Sequence, residues 1–387
     1  MIGTTQTGCY YPDHWPVWEH KRPEDVGMCT DAIKQAIDFS IQNEANLSRD
    51  LAMNKLLALE EPYAGVIGPM KVRGDVTGVI VRHGYVIAQW GEPDRVDMTF
   101  SATKSYLSSC AGLALDRGLI RSVHDRVADY VRDGGFDSPH NSQITWHMLL
   151  NQTSDWQGTL WDKPDWCDRP EGPKSEWANR KLNTPGTVWK YNDVRVNRLA
   201  LSLLRVWRRP LPQVLREHIM EPIGASPTWE WHGYDNAWVK VDGVMVQSVS
   251  GGGHWGGGLF ITAMDHARFG LLCLRNGKWR DRQVLSEKWV GMARTPTGTR
   301  DCGGTSANAT HSMPAECQIS YGYMNWRLNT AKVLLPSAPE LSYFHSGDGA
   351  NVIWVDPKHD LVVVVRWIKR DHLDGFIKRV LDAVEDA

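Results

Sequence analysis

Over residues 30–45, apolar positions recur every three or four residues (Ile33, Ala36, Ile37, Phe39, Ile41). That spacing predicts a helix with one buried face, with Thr30 as its N-cap. The period then changes. Residues 76–90 read as two β-strands around a His83–Gly84 turn. A second helical stripe runs from Thr103 to Arg117 and ends at Gly118, a residue suited to the left-handed position that closes a helix. From about 120 to 245 the pattern gives helices joined by long loops rich in Pro and Trp, with no strong strand pair. Strands return at 351–356 and 361–367, flanking a turn at Pro357–Asp360. The second of them is continuously apolar and so belongs inside a sheet. Residues 373–385 read as a closing amphipathic helix. Strands at both ends with helices between predict one sheet built from both termini and a helical insertion.

Composition narrows the function classes. The chain has 387 residues, 42% hydrophobic and 23% charged, which suits a soluble globule of two lobes. A formal net charge of -2, with Lys and Arg scattered among acids, argues against nucleic acid as a partner. No apolar run approaches the roughly 20 residues that cross a bilayer, so no membrane partner is expected. The polar start lacks the order of a signal peptide, and a cytoplasmic location is expected. The seven cysteines are odd in number and lack CxxC spacing, which suits reduced thiols, with a Cys302–Cys317 bridge left open. No zinc-type His/Glu spacing occurs, and no metal or cofactor is expected. Oligomeric state cannot be read from the sequence. Of 19 tryptophans, Trp156, Trp161, Trp166 and Trp177 fall in one Pro/Asp/Lys-rich stretch. They read either as loop anchors or as the wall of an apolar pocket.

The chemistry lies in Phe100-Ser-Ala-Thr-Lys104, which holds the only Ser-x-x-Lys in the chain. Positions i and i+3 share a helix face, so the amine of Lys104 can reach the hydroxyl of Ser101. A serine hydroxyl is a poor nucleophile until a neighbouring base takes its proton. Lysine can serve as that base when burial or a nearby cation lowers its affinity for the proton. A helix start adds backbone N–H groups that favour a developing oxyanion.

Further elements follow in order: Leu115–Ile120, Val127–Val131, Ile144–Ser154, Pro185–Tyr191, Ser250-Gly-Gly-Gly, Ala263–Gly270, Tyr321–Trp326 and His345-Ser-Gly347. Together with the Ser-x-x-Lys they resemble the serine β-lactamase-related superfamily in its class C branch. That branch includes esterases, D-amino-acid peptidases and amide hydrolases besides β-lactamases. The resemblance implies a β-lactamase/transpeptidase-like fold (α/β, more strictly α+β), as in penicillin-binding proteins. It comprises an antiparallel sheet flanked by helices from both chain ends, plus an all-helical insertion. Residues 1–95 and 246–387 would form the α/β domain. Residues 96–245 would form a helical domain carrying Ser101, Lys104 and Tyr191.

The same resemblance implies that Tyr191 is the second proton-transfer group, since a phenol beside an ammonium ionises more readily. Tyr234-Asp-Asn236 and Tyr323-Met-Asn325 match the Tyr-x-Asn spelling better, but Tyr191 has the right context. Two departures stand out. Asp193 replaces the expected Asn, and could pair with Lys104, repel an anionic substrate or cap the following helix. His345 stands where a Lys is usual and would attract a substrate carboxylate only weakly. The oxyanion hole is implied at the backbone N–H groups of Ser101 and Asp348, with the Asp348 side chain turned away. Asp193, His345, Ser346 and Gly347 are the expected substrate-binding residues, with Trp156 and Trp161 added from the Trp-rich stretch.

The expected activity is hydrolysis of an ester or amide carbonyl through a Ser101 acyl-enzyme. The substrate would be a small ester or amide or a short peptide. β-Lactamase action or acyl transfer on the same site is the alternative, and an inactive ligand-binding protein of this fold is the alternative of another class.

Overall fold

The computed structural model describes residues 9–57, 62–296 and 320–385. Cys302 and Cys317 lie outside the described residues, and none of the five described cysteines is in a disulfide. The elements that place the site are, in chain order, α1 (Thr30–Gln42), β1 (Thr77–Arg82), β2 (Tyr85–Trp90), β3 (Asp97–Met98) and α2 (Thr103–Asp116). Then come α3 (Asp193–Trp207), β4 (Glu230–Val241), β5 (Val244–Val249), β6 (Gly258–Ile261) and α4 (Ala263–Leu274). Last are β7 (Arg327–Leu328), β8 (Tyr343–Gly347), β9 (Asn351–Asp356), β10 (Leu361–Arg366) and α5 (Leu373–Asp382).

Both ends of the chain build the main sheet, whose strand order is β7-β8-β9-β10-β1-β2, every pair antiparallel. β10 is the seam. It pairs with β1 from Thr77↔Arg366 to Arg82↔Leu361 and with β9 from Val352↔Val365 to Asp356↔Leu361. Its run of valines is buried on both faces, which is why it reads as continuously apolar. Each such side chain contributes roughly 1.5–3 kcal/mol by leaving water. Alternation sorts the faces. Ile80, Val352, Trp354, Val363 and Val365 join Ile33 and Ala36 of α1 and Phe376, Ile377 and Val380 of α5. Val79, Val81, Ile353, Val355, Val362 and Val364 face the main core with Phe269 of α4. α2 is buried from Thr103 to Ala114, as a helix packed on all sides must be.

Three local readings differ from the sequence expectation. α1 begins at Thr30 itself, with Cys29 in the capping position and no side-chain cap. The stretch expected to be helix and loop up to 245 also carries β4, which pairs with β5 in a hairpin and with β6 in a four-stranded sheet of order β3-β6-β4-β5. Its turn is Asp242–Gly243, both at positive φ, a two-residue connection suited to the strand twist. Trp238, Val244 and Met245 of this hairpin are exposed, so the alternation that marks a strand is blurred. Finally, His345-Ser-Gly347 ends a strand of its own, β8, and does not merely lead into β9.

The Trp-rich stretch is pinned by buried charge. Arg195 of α3 bonds Asp155 at 2.6 Å, and Arg180 bonds Asp155 at 2.8 Å and Asp165 at 2.6 Å. Trp156 is buried and donates its indole N–H to the Gly135 carbonyl at 2.7 Å. It is a pillar of the core, which corrects its expected place in a substrate pocket. Trp161 is half-buried in the turn between two short strands, Thr159–Leu160 and Lys163–Pro164. Among the described residues, no helix is long and apolar enough to cross a membrane.

Candidate active site

Ser101 sits in a single 3₁₀ turn, Phe100–Ala102, that runs into α2. Phe100 has φ +48°, a conformation that costs a non-glycine residue and survives only where neighbours enforce it. They do so from both sides. Thr99 donates its backbone N–H to the Leu259 carbonyl at 3.0 Å, and Leu259 donates its N–H to Thr103 Oγ1 at 3.0 Å. The Thr99 hydroxyl is 2.7 Å from His266 Nε2, and His266 Nδ1 is 2.8 Å from the Tyr106 hydroxyl. Burial holds His266 neutral, with the charge of Arg366 acting the same way.

One turn on, Lys104 Nζ donates to Ser101 Oγ at 2.9 Å and to Asp193 Oδ1 at 2.6 Å. It also stands 4.6 Å from the ring centroid of Tyr191. Lys104 and Asp193 are both buried, whereas Ser101 is partly open to solvent. Burial pushes the Asp193 carboxyl up, but the charges of Lys104, Arg169 and His254 outweigh it and leave the group well below the usual carboxylate range. Its second oxygen, Oδ2, accepts from Arg169 Nη1 at 3.1 Å, and its backbone N–H donates to the Asp168 carboxylate. Both carboxylate oxygens are thus engaged by cations of the protein itself, so Asp193 serves the lysine and is not a substrate contact. Nor is it the helix cap. Asn192 caps α3, accepting from Arg195 N–H at 3.0 Å.

Tyr191 lies edge-on to Tyr321 at 6.3 Å and beside Trp189 at 6.2 Å, with the guanidinium of Arg169 4.9 Å and that of Arg327 5.8 Å from its ring centroid. The two rival tyrosines are committed elsewhere. Tyr234 accepts from Asn197 at 3.0 Å, and the Tyr323 hydroxyl is 2.7 Å from His147 Nδ1.

Glycines let backbone close over this cluster. A Cβ on Gly252 would overlap Asp193 Oδ1 and Lys104 Nζ. A Cβ on Gly347 would overlap the Thr99 carbonyl and come within 3.2 Å of Ser101 N. The end of β8 therefore presses directly on the backbone of Ser101. Asn325 fastens the two, its Nδ2 donating to the Ser101 carbonyl at 2.8 Å and to the Ser346 carbonyl at 2.7 Å. Arg370 donates to the Gly347 carbonyl at 3.2 Å and to Ser346 Oγ at 3.5 Å. The carboxylate of Asp348 folds back onto its own turn, accepting from Gly349 N–H at 3.0 Å.

His345 corrects an expectation. Strand alternation sends its side chain to the opposite face from Ser346, into a fully buried aromatic cage of Trp326, Phe269 and Tyr343 with ring centroids at 4.8, 5.6 and 6.0 Å. Burial pushes its pKa down to about 3. A neutral imidazole behind the strand cannot attract a substrate carboxylate.

Lys104 thus joins Ser101, Asp193 and Tyr191, and the end of β8 at Ser346 and Gly347 lies against the Ser101 backbone, while Trp156 and His345 are not part of this cluster. The sequence reading missed Arg169, Asp168 and the clamp of Asn325. Asn325 stood inside the Tyr321–Trp326 motif, and Gly252 inside Ser250-Gly-Gly-Gly. Arg169 carried no local signal. Asp168, Asp193 and His254 bring donor atoms within 4.8 Å of one another, but Lys104 and Arg169 already meet both carboxylates, so the cluster is charge-balanced without a metal ion.

A profile of the family described as Beta-lactamase matches residues 66–379. No curated protein matches the sequence significantly. Similar solved structures include a penicillin-binding protein homologue from Caulobacter crescentus (TM-score 0.59, 15% identity, covering 92% of this chain and 99% of that one). EstCE1, a hydrolase with promiscuous acyltransferase activity, gives 0.58 and 16%, covering 92% and 98%. A family VIII carboxylesterase gives 0.57 and 15%, covering 92% and 98%. At these identities the likeness is one of fold.

Proposed function

The chain belongs to the beta-lactamase family, and from that footing we propose that it is a serine hydrolase acting on an ester or amide carbonyl through an acyl-enzyme on Ser101. The observation that carries this reading is the contact of a buried Lys104 Nζ with Ser101 Oγ at 2.9 Å, in a cluster that also holds Asp193 and the Tyr191 ring.

An ammonium bound to an ionised carboxylate acts as a donor, so the base is the phenolate form of Tyr191, which takes the Ser101 proton and becomes the phenol. Ser101 Oγ then forms a bond to the carbonyl carbon. The oxyanion is received by the backbone N–H groups of Ser101 and Asp348, and Tyr191 returns the proton to the departing alcohol or amine. Water attacks the acyl-enzyme by the same route in reverse, breaking the Ser101 ester. Proton transfer of this kind is worth ~10²–10⁴ in rate.

Within this reading, carboxylester and amide or peptide substrates come ahead of β-lactams, because the third motif supplies no charged side chain from His345. The test is one panel: p-nitrophenyl esters of short and aryl acids, D- and L-aminoacyl p-nitroanilides, and a chromogenic cephalosporin. The expected order places the esters first and the cephalosporin last. A kcat/KM for the cephalosporin above that of every ester and amide would overturn this ranking.

A further inference from the structure

We infer that Arg169, with Asp168 as its brace, is a positioning residue that sets the proton-transfer pair of Lys104 and Tyr191 by acting through Asp193. This rests on the serine-hydrolase reading and extends it to a loop outside the three motifs.

The groups form a chain of alternating charge. Lys104 holds Asp193 Oδ1 at 2.6 Å, and Arg169 holds Asp193 Oδ2 at 3.1 Å. Asp168 bonds the same nitrogen of Arg169 and also accepts the backbone N–H of Asp193. Both the side chain and the backbone of Asp193 are therefore fixed from one loop. The loop is itself fixed, since Lys190 Nζ donates to the Arg169 carbonyl at 2.9 Å. Lys104 lies nearer to Asp193 than to Ser101 Oγ, at 2.6 against 2.9 Å, so wherever the carboxylate turns the ammonium follows. Arg169 also acts on Tyr191 directly, because its guanidinium and the Lys104 ammonium both stand by the ring, at 4.9 and 4.6 Å. Without it the site loses one positive charge beside Asp168, Asp193 and Tyr191, which disfavours loss of the Tyr191 proton.

The other titratable and charged groups facing these residues are His254 from the Gly-rich segment, Lys190 with its partner Glu171, Tyr234 of β4, Arg327 of β7, and Arg370 ahead of α5. Each remains in the variants described next.

The experiment is the pH profile of kcat and KM for a p-nitrophenyl ester between pH 5 and 9, on wild type, Arg169→Met, Arg169→Lys and Asp168→Asn. Folding of each is checked by circular dichroism. Arg169→Met should move the acidic limb of kcat/KM up by about one pH unit and lower kcat near neutrality about tenfold, with KM within about threefold. Arg169→Lys should restore most of that loss. Asp168→Asn keeps an acceptor for the Asp193 N–H while removing a negative charge, so its limb should move the opposite way. A merely structural role for the loop would not give shifts of opposite sign. An unmoved limb in folded Arg169→Met, or shifts of one sign in both variants, would overturn the inference and leave the serine-hydrolase reading intact. If Arg169→Met does not fold, the direction of the Asp168→Asn limb decides alone. Wild type that hydrolyses no ester or amide would remove both.

Discussion

Lys104→Met is expected to lower kcat/KM for an activated ester by about 10³–10⁴-fold and to lower stability by ~3 kcal/mol. The first loss follows from the 2.9 Å contact with Ser101 and the position over Tyr191. The second follows from Asp193, a buried carboxylate that loses its nearest cation. The stability loss carries a pH signature. Asp193 is depressed in the folded protein, so its contribution is fully present above the unfolded carboxylate range near pH 4 and is lost progressively as pH falls from there toward the depressed folded value. The gap between wild type and Lys104→Met in urea midpoint should thus be wide at pH 7 and narrow at pH 3. Adding Asp193→Asn should return much of the stability and none of the activity. A double variant as unstable as the single one would contradict the ion-pair account.

The second large effect belongs to a residue with no chemistry of its own. Gly252→Ala places a methyl group where Asp193 Oδ1 and Lys104 Nζ now meet, so the pair must part or the Gly-rich segment must lift. A displacement of about 1 Å at a proton-transfer group costs on the order of 10² in rate, and overpacking costs about 1–3 kcal/mol. Gly291→Ala is the control, since a Cβ there meets nothing within 4 Å. It should leave kcat unchanged and raise the midpoint slightly, since Gly291 lies inside the helix Glu287–Ala293. Equal behaviour of the two variants would show that Gly252 is not the lid of the pair.

How far the sequence revealed this arrangement depended on whether a contact is local. Ser101 and Lys104 are three residues apart and announce themselves through helical spacing. That both termini build one sheet was legible because β1 and β10 are apolar and closely bounded by turns, but their pairing with each other was not. Tyr191 was legible only through its surroundings, since its own triplet is the poorest match of three. What escaped was long-range or orientational. Arg169 meets Asp193 across 24 positions of sequence, and only Asp193 falls in a motif. His345 lies in β8, a strand the sequence did not mark, and strand alternation decides whether a side chain faces the site or the core, which a three-letter motif does not state. The β4–β5 hairpin was hidden differently. Its Asp242–Gly243 turn is a strong signal, but apolar residues on its exposed face masked the strand period around it.

The central claim is that Ser101 becomes covalently acylated during turnover. The direct measurement is an acid-quenched reaction with a p-nitrophenyl ester, followed by intact mass and peptide mapping. The expected result is one acyl group on the peptide containing Ser101, absent from Ser101→Ala, whose turnover falls to background. Sustained hydrolysis by Ser101→Ala, or an acyl group carried on another residue in the wild type, would contradict it.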